Sequence, residues 1–139
     1  MIAERVLFIN SIIEVGQRYL PSRDIGTFLE EFLPRDFKPD STFFQLKQTG
    51  SEMQLELVTI SGKSIVDLTM TQSIRSVAAV PVDQIGATSL RDEQAQTILS
   101  IHSTSGSPFV LQYVALDDKA RSMLRSFAKK LYAILQEVK

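Results

Sequence analysis

Apolar residues recur at helical spacing over residues 2–33 and predict two helices there. The first predicted helix runs from Ile2 to Leu20, and it is apolar on more than one side, so it needs more than one neighbour. Pro21 ends it, because the residue before a proline is pushed out of the α region. Ser22 is expected to cap the second helix through its side-chain oxygen. That helix ends before Pro34, and its apolar face consists of Ile25, Phe28, Leu29, Phe32 and Leu33.

Alternating apolar and polar residues follow the proline-rich connector PRDFKPD and predict a succession of β-strands. Between residues 41 and 116 there are seven candidate strands: TFFQLK, MQLELVTI, SIVDLTM, RSVAAV, IGATSLRD, QTILSIHS and PFVLQYVA. Gly50 and Gly62 lie between strands and suit tight hairpin turns, since glycine adopts positive φ freely. The alternation slips at Leu57 and Val58, which indicates either a β-bulge or a strand buried on both faces.

A single amphipathic helix is predicted for the C-terminal segment DDKARSMLRSFAKKLYAIL. Asp117 or Asp118 is expected to cap it, because an acidic side chain satisfies free N–H groups and suits the positive end of the helix dipole. The apolar positions form one continuous stripe, made of Ala120, Met123, Leu124, Phe127, Leu131, Ile134, Leu135 and Val138. After seven strands, such a helix is expected to close the open end of a sandwich of two nearly orthogonal sheets.

Composition and charge are those of an ordinary globular chain and exclude several kinds of site. The chain has 139 residues, of which 44% are hydrophobic and 22% charged, and a formal net charge of -1. No nucleic acid is expected as a partner, because nucleic-acid binding calls for a concentrated basic surface. The absence of cysteine excludes disulfides, thiolate catalysis and sulfur-ligated metals, and it fits the cytoplasmic location that we expect. The N-terminal segment is too polar for an export signal or a membrane span.

The strand number, the meander order and the final helix together resemble a pleckstrin-homology-like domain, including its bacterial and GRAM-type versions. The segment VPVDQIGATSL is similar to the stretch in bacterial members where a polar hinge with an isoleucine leads into the fifth strand. The resemblance implies an α+β fold, with a seven-stranded antiparallel β-sandwich or barrel capped by a C-terminal helix, over residues 41–139. Residues 1–40 are then an additional N-terminal helical extension. Eukaryotic members usually carry a tryptophan in the last helix, and Phe127 could take that place here.

The resemblance implies a binding module and not an enzyme, because the fold hosts phosphoinositide, peptide and protein recognition. Its lipid-binding members carry lysines and arginines around the first hairpin. The matching segment here, FFQLKQTGSEMQLEL, offers Lys47 alone. A multiply charged headgroup needs several charge-assisted contacts, so that motif does not carry over and membrane binding by this route is not expected.

Residues that could carry catalysis or hold a metal or cofactor are sparse in the sequence. His102 is the one histidine, and it lacks the partners that a triad or a metal site needs, so we predict a polar residue facing solvent on a strand. The segment STSGSP lacks the spacing and the lysine of a phosphate-binding loop and is predicted to be a hairpin loop. We therefore expect no enzymatic activity, no catalytic residue, no metal and no cofactor.

The first helix provides one group of candidate contact residues. Leu7, Phe8 and Ile12 widen its apolar surface beyond a single stripe, and that surface has to be buried against something. It either packs on the chain's own domain or forms an interface in a homo-oligomer or with a partner protein.

The last helix provides a second group. Arg121, Arg125 and Lys129 recur every four residues and form one basic stripe. The stripe is either a solvated face or a contact for an acidic partner or an anionic surface.

Three functions from different classes remain open at this point. The first is a cytoplasmic binding or scaffold module that recognises a protein and associates with itself. The second is a membrane-surface adaptor that uses the basic stripe, and the third is a small enzyme with a hidden carboxylate site. An alternative fold, a longin- or roadblock-like regulatory protein, requires a helix in VDQIGATSLRDEQAQ, against which Gly86, Ile85 and Thr88 argue. The sequence identifies no small-molecule ligand.

Overall fold

Three helices and seven antiparallel strands make up residues 2–104 and 110–138, the part of the chain that this computed structural model describes. Short 3-10 turns at Pro39–Ser41 and Val82–Gln84 lead into the first and the fifth strand. The elements are α1 (Ile2–Gly16), α2 (Ser22–Phe32), β1 (Thr42–Thr49), β2 (Glu52–Ser61), β3 (Ser64–Met70), β4 (Arg75–Pro81), β5 (Ile85–Asp92), β6 (Thr97–Ser103), β7 (Val110–Ala115) and α3 (Asp118–Val138).

The strands form two sheets in the order of the chain, β1-β2-β3-β4 in the first sheet and β5-β6-β7 in the second. The predicted α+β class and the predicted strands are confirmed. The two sheets do not close, so of the two forms predicted, sandwich or barrel, the barrel is wrong. The longin-like alternative is also wrong, because the segment that it needs as a helix is β5. Residues 105–109, which include most of the predicted STSGSP loop and the start of PFVLQYVA, lie outside the described residues.

One core lies between the two sheets and is closed by α3, as the amphipathic stripe predicts. Phe127 and Leu131 of α3 are completely buried there. Val58 from the first sheet and Tyr113 from the second belong to the same cluster. Asp117 caps α3, since its Oδ1 accepts a hydrogen bond from the Ala120 N–H at 2.8 Å, which confirms the first of the two predicted caps.

A second core lies on the outer face of the first sheet, under α1 and α2. The Phe8 ring packs 4.8 Å from the Phe37 ring and 5.8 Å from the Phe44 ring of β1. Arg5 of α1 donates to the carbonyl of Pro34 at 3.1 Å and so holds the end of α2 against α1. The cluster contains Ile9, Ile12, Leu20, Ile25, Phe28, Leu29, Leu33, Phe37, Leu55, Leu57, Leu68 and Met70. The helices of residues 2–32 therefore share a core with the strands.

The slip in alternation at Leu57 and Val58 comes from burial on both faces of β2. Leu57 faces the helices in the outer core, and Val58 faces α3 and the second sheet in the inner core. Residues 55–60 are all buried, and the register with β1 and β3 is unbroken. Of the two explanations that the sequence left open, the bulge is wrong at this position.

Glycines lie at two hairpin turns and at one β-bulge. Gly50 and Gly62 have φ of 61° and 58°, which confirms both hairpin turns. The bulge that does occur lies in β5, between Ile85 and Ala87. A Cβ on Gly86, the residue between them, would lie 2.9 Å from Thr104 Cα, so only glycine fits this bulge without a shift of the backbone.

Two predicted helix ends are wrong. α1 ends at Gly16 and not at Leu20, because the Tyr19 N–H donates to the Gly16 carbonyl three residues back, at 3.0 Å, and so departs from the α-helical pattern. This turn brings α2 close to Gly16, where a Cβ would meet Ile25 at 2.9 Å. Ser22 does not cap α2 with its side chain; it is the first helical residue and follows Pro21.

Candidate interaction surface

The residues that the sequence proposes for an interface on α1 are mostly used inside the chain. Ile12 is completely buried in the outer core, and Phe8 is half-buried between Phe37 and Phe44. Leu7 is 69% exposed and is the one of the three that a partner could reach. The apolar width of α1 is thus largely explained by the neighbours that it has within the chain.

The proposed basic stripe is partly consumed by contacts within the chain. Arg121 donates from Nε to the Thr97 hydroxyl at 3.0 Å and from Nη2 to Asp92 Oδ1 at 3.1 Å. It also bonds carbonyl groups of the β5–β6 turn. Arg125 donates to the same Asp92 oxygen at 3.2 Å, while Lys129 is exposed. The structure therefore brings two of the three cations to one carboxylate and leaves Lys129 in solvent.

These contacts have an electrostatic consequence at Asp92. The Thr97 hydroxyl donates to the Asp92 carboxylate at 2.6 Å, and this bond is the largest cause that lowers the carboxyl pKa below its ordinary value of 3.8. The hydrogen bond from Arg121 lowers the pKa further, and so does the charge of Arg125. Asp92 therefore fastens the β5–β6 hairpin to α3 in its ionised form.

A buried carboxylate, Glu56, lies on the inner face of β2 and is fully paired. Its oxygens accept from the Gln45 amide at 3.0 Å and lie 3.1 Å from the Lys47 ammonium group. The same Gln45 amide donates to the Val114 carbonyl of β7 at 2.8 Å, which connects the two sheets. Lys47, the single basic residue of the first-hairpin region, is thus the counter-ion of Glu56.

A second carboxylate, Asp67, lies on the same inner face beside Tyr113. The Tyr113 hydroxyl donates to Asp67 Oδ2 at 2.5 Å, and the Thr69 hydroxyl donates to Oδ1 at 3.0 Å. Burial raises the pKa of the Tyr113 hydroxyl far above its ordinary value, and the charge of Asp67 raises it further, so Tyr113 stays a donor. Both inner carboxylates are satisfied by neighbours, as a structural polar network requires.

The remaining candidates for catalysis or metal binding are the single histidine and the acidic side chains. His102 is an exposed residue on β6, which confirms its predicted position. Within residues 2–104 and 110–138, no group of His, Asp and Glu is arranged to hold a metal ion. Over the same ranges, no helix has the length and the apolar character needed to cross a membrane.

Strand β4 is the feature that the sequence analysis missed. Six of its seven residues are exposed, on both faces of the sheet, and Val77 retains 44% of its accessible surface. The signal was present in RSVAAV, where four small or medium apolar residues run together without alternation. Such a run predicts a strand, although it has no polar face to separate solvent from core.

The hydrogen-bond pattern shows which way the backbone of β4 points. At one end of the β3–β4 ladder the Thr71 N–H donates to the Ile74 carbonyl at 2.8 Å. At the other end the Val82 N–H donates to the Lys63 carbonyl, also at 2.8 Å. Bonded pairs alternate along an antiparallel ladder, so the residues of β4 that bond β3 between these ends are Ser76, Ala78 and Val80.

The N–H and C=O groups of Arg75, Val77 and Ala79 therefore point away from β3, and we call these groups the β4 edge. Among the described residues, no hydrogen bond reaches the outward groups of the β4 edge. Pro81 ends the edge, because proline has no N–H to offer.

The other three outer strands are each met by a side chain at their free edge. The Phe44 N–H of β1 donates to the Met123 sulfur of α3 at 3.3 Å. The Thr88 carbonyl of β5 accepts from the Tyr132 hydroxyl of α3 at 2.9 Å. The Val114 carbonyl of β7 accepts from Gln45. In the part of the chain that is described, no side chain bonds the β4 edge in this way.

Apolar side chains collect near the β4 edge. Ile74, at its start, is 59% exposed, and Tyr19, whose carbonyl accepts from Gln72 at 3.4 Å, is 42% exposed. The one charge on the strand, Arg75, lies 3.5 Å from Asp24 of α2. The surface is therefore an open strand with apolar neighbours and one neutralised charge.

Comparison with known proteins adds no relative. No protein-family model matches the chain, and a search of curated proteins finds no match either.

Proposed function

We propose that the chain is a non-enzymatic protein-binding module of the pleckstrin-homology-like kind, and that it associates with itself through the β4 edge. The observation that carries the proposal is the β4 edge, which no described residue bonds, on a strand that is exposed on both faces. An unpaired strand edge is a ready template for another strand, and proteins normally blunt or cover it. Strand addition is also a common mode of protein and peptide recognition.

The order of the two sheets supports the pleckstrin-homology-like part of this proposal. Four strands precede three in a simple meander, and one C-terminal helix packs between the sheets. Phe127 of α3, which could take the place of the tryptophan that eukaryotic members usually carry, is completely buried. The two N-terminal helices cover the outer face of the first sheet as an addition to that arrangement.

The alternative functions have weaker support from the contacts. A membrane adaptor would need free cations, whereas Arg121 and Arg125 bond Asp92 and Lys47 pairs with Glu56. An enzyme with a hidden carboxylate site would need a carboxylate with unused hydrogen-bonding capacity. Both oxygens of Glu56 and both oxygens of Asp67 have donors or a counter-ion.

Sedimentation velocity of the full chain, from low to high micromolar concentration, tests self-association. We expect a monomer at low concentration and a dimer at high concentration. Val77→Lys should raise the dissociation constant of the dimer at least about tenfold, and Leu7→Lys, its match on α1, should leave it unchanged. A chain that is monomeric throughout contradicts the proposal, and a dimer lost in Leu7→Lys alone moves the interface to α1.

Binding of the chain to lipid vesicles is measured alongside its self-association. We expect no co-sedimentation with phosphoinositide-containing vesicles in about 0.15 M salt. Binding that Arg125→Glu together with Lys129→Glu abolishes would replace the proposal with the membrane adaptor.

A further inference from the structure

We infer that a second copy of this chain covers the β4 edge, antiparallel to the first, about a two-fold axis that passes through Val77. The inference rests on the proposed self-association and adds its geometry. Two copies joined in this way would merge their first sheets into one continuous sheet across the interface. The self-complementary register of the strand favours this occupant over an extended segment of a different protein.

The alternation of inward- and outward-pointing residues along β4 limits where the two-fold axis can lie. In an antiparallel pair, a residue whose backbone points outward must lie opposite a residue whose backbone also points outward. The outward residues of β4 are Arg75, Val77 and Ala79, which are spaced by two. A two-fold axis must therefore pass through a residue and not between residues. With the axis at Val77, Val77 lies opposite itself and Arg75 lies opposite Ala79 of the second copy, so every outward residue finds an outward partner.

The same register matches the exposed apolar side chains. Val77, 44% exposed, meets its own counterpart on the outer face of the merged sheet. Ile74, 59% exposed, lies opposite Val80 of the second copy on the inner face. Cross-strand pairs of β-branched residues stabilise a sheet, and here the symmetry forms the Ile74–Val80 pair twice.

Neighbouring axes lack this match. An axis at Ala78 places Arg75 opposite Pro81, which has no N–H for the ladder. An axis at Ser76 places Val77 opposite Arg75 and Ile74 opposite Ala78, so that neither exposed apolar side chain meets a β-branched partner. The axis at Val77 therefore uses more of the β4 edge than either neighbour.

Charge does not oppose a second copy. Arg75 is the single charge on β4, and Asp24 of the same chain lies 3.5 Å from it. In the inferred register the two copies of Arg75 lie at opposite ends of the paired strands, about 13 Å apart, which is four residues at about 3.3 Å each. The net charge of the chain is only -1, so two copies repel each other weakly.

The strand itself carries few of the devices that prevent pairing. Its register with β3 is unbroken over seven residue pairs, without a bulge, and its one proline is its last residue. A seven-residue strand pair is a small interface, below about 1,200 Å² in total, so we expect a dimer with a micromolar dissociation constant.

Cysteine cross-linking reads the register directly, because the chain has no cysteine of its own. Val77→Cys should form a disulfide-linked dimer under mild oxidation, since opposite Cα atoms in a bonded pair lie about 5.5 Å apart, within disulfide range. Ala79→Cys is the matched control: its counterpart lies about 13 Å away, and we expect no cross-link. A faster cross-link from Ala78→Cys or Ser76→Cys than from Val77→Cys would overturn the inferred axis.

Proline variants distinguish the edge from the ladder. Val77→Pro removes an outward N–H and should abolish the dimer while the circular dichroism spectrum stays native. Ala78→Pro removes an N–H that bonds β3, and it should lower the melting temperature. If Val77→Pro fails to fold, Val77→Lys replaces it, with the dissociation constant expected to rise at least about tenfold.

The two proposals fail in different ways. A chain that sediments as a dimer but shows no Val77→Cys cross-link retains self-association and refutes the inferred register. A chain that is monomeric at every concentration refutes both. Saturable binding of an unrelated extended peptide to the monomer, lost in Val77→Pro, would show that the edge takes a foreign strand and would also overturn the inference.

Discussion

Strands β2 and β4 belong to the same sheet, with β3 between them, and their environments are opposite. Val58 of β2 is completely buried, whereas Val77 of β4 is 44% exposed. Both strands are rich in apolar residues, and both have an unbroken register with their neighbours. The difference lies in what covers each strand and not in the pairing of its backbone.

The comparison shows that the burial of a strand in this sheet depends on the helices and strands that pack on its two faces. α1 and α2 cover the outer face over β2 and β3, and α3 with the second sheet covers the inner face. β4 lies beyond both layers, and among the described residues Val80 is the one member of the strand that packs against a core cluster. The strand is therefore stabilised mainly by its ladder with β3, and no described residue bonds its outer backbone edge.

The largest expected effect comes from the two matched valines. Val58→Asp places an unpaired charge in the inner core and should cost at least about 3 kcal/mol of a total of about 5–15 kcal/mol. Val77→Asp lies in solvent and should cost less than about 1 kcal/mol. Chemical denaturation of both variants at low concentration, where dimerisation does not contribute, measures the difference. Equal losses in free energy of unfolding would mean that β4 is covered as β2 is.

Much of the inner core could be predicted from the sequence. The stripe of α3 has a single period, and therefore indicates both the helix and the face that it buries, including Phe127. Both hairpin glycines were predictable because positive φ strongly favours glycine. Local chemistry, the apolar period of a helix and the positive φ of a tight turn, is enough to predict these features.

The features that could not be predicted depend on contacts between distant segments. Nothing near Arg121 in the chain shows that Asp92, on a different hairpin, will bind it. Phe8 and Ile12 were candidates for an interface because the sequence does not show that α1 packs on the first sheet. The β4 edge lies beyond the described helices. The residues of a strand do not encode where helices elsewhere in the chain will end.

A smaller effect tests the contrast between a covered edge and the open one. The Tyr132 hydroxyl bonds the Thr88 carbonyl at the free edge of β5, so Tyr132→Phe should cost about 0.5–1.5 kcal/mol. Tyr19→Phe is the control, because Tyr19 is similarly exposed, at 42% against 38%, and its hydroxyl bonds nothing among the described residues. Thermal denaturation compares the two. An equal response would show that α3 does not protect the β5 edge through this bond.

The smallest expected effect is a pH dependence at the hairpin that α3 covers. The Thr97 hydroxyl, Arg121 and Arg125 hold the Asp92 pKa below 3.8, so the ionised carboxylate stabilises the folded state at higher pH. This contribution is present above the unfolded value and is lost as pH falls through the lower, folded pKa. Arg121→Gln should raise the Asp92 pKa part of the way back, because the bond from Thr97 remains, and Lys129→Gln on the same helix face should leave it unchanged. Carboxyl chemical shifts followed by NMR from neutral to acidic pH report both. If the Asp92 pKa is the same with and without Arg121, the ion pair of Asp92 and Arg121 does not fasten α3 to the β5–β6 hairpin. The second sheet is then as weakly covered at this point as β4 is.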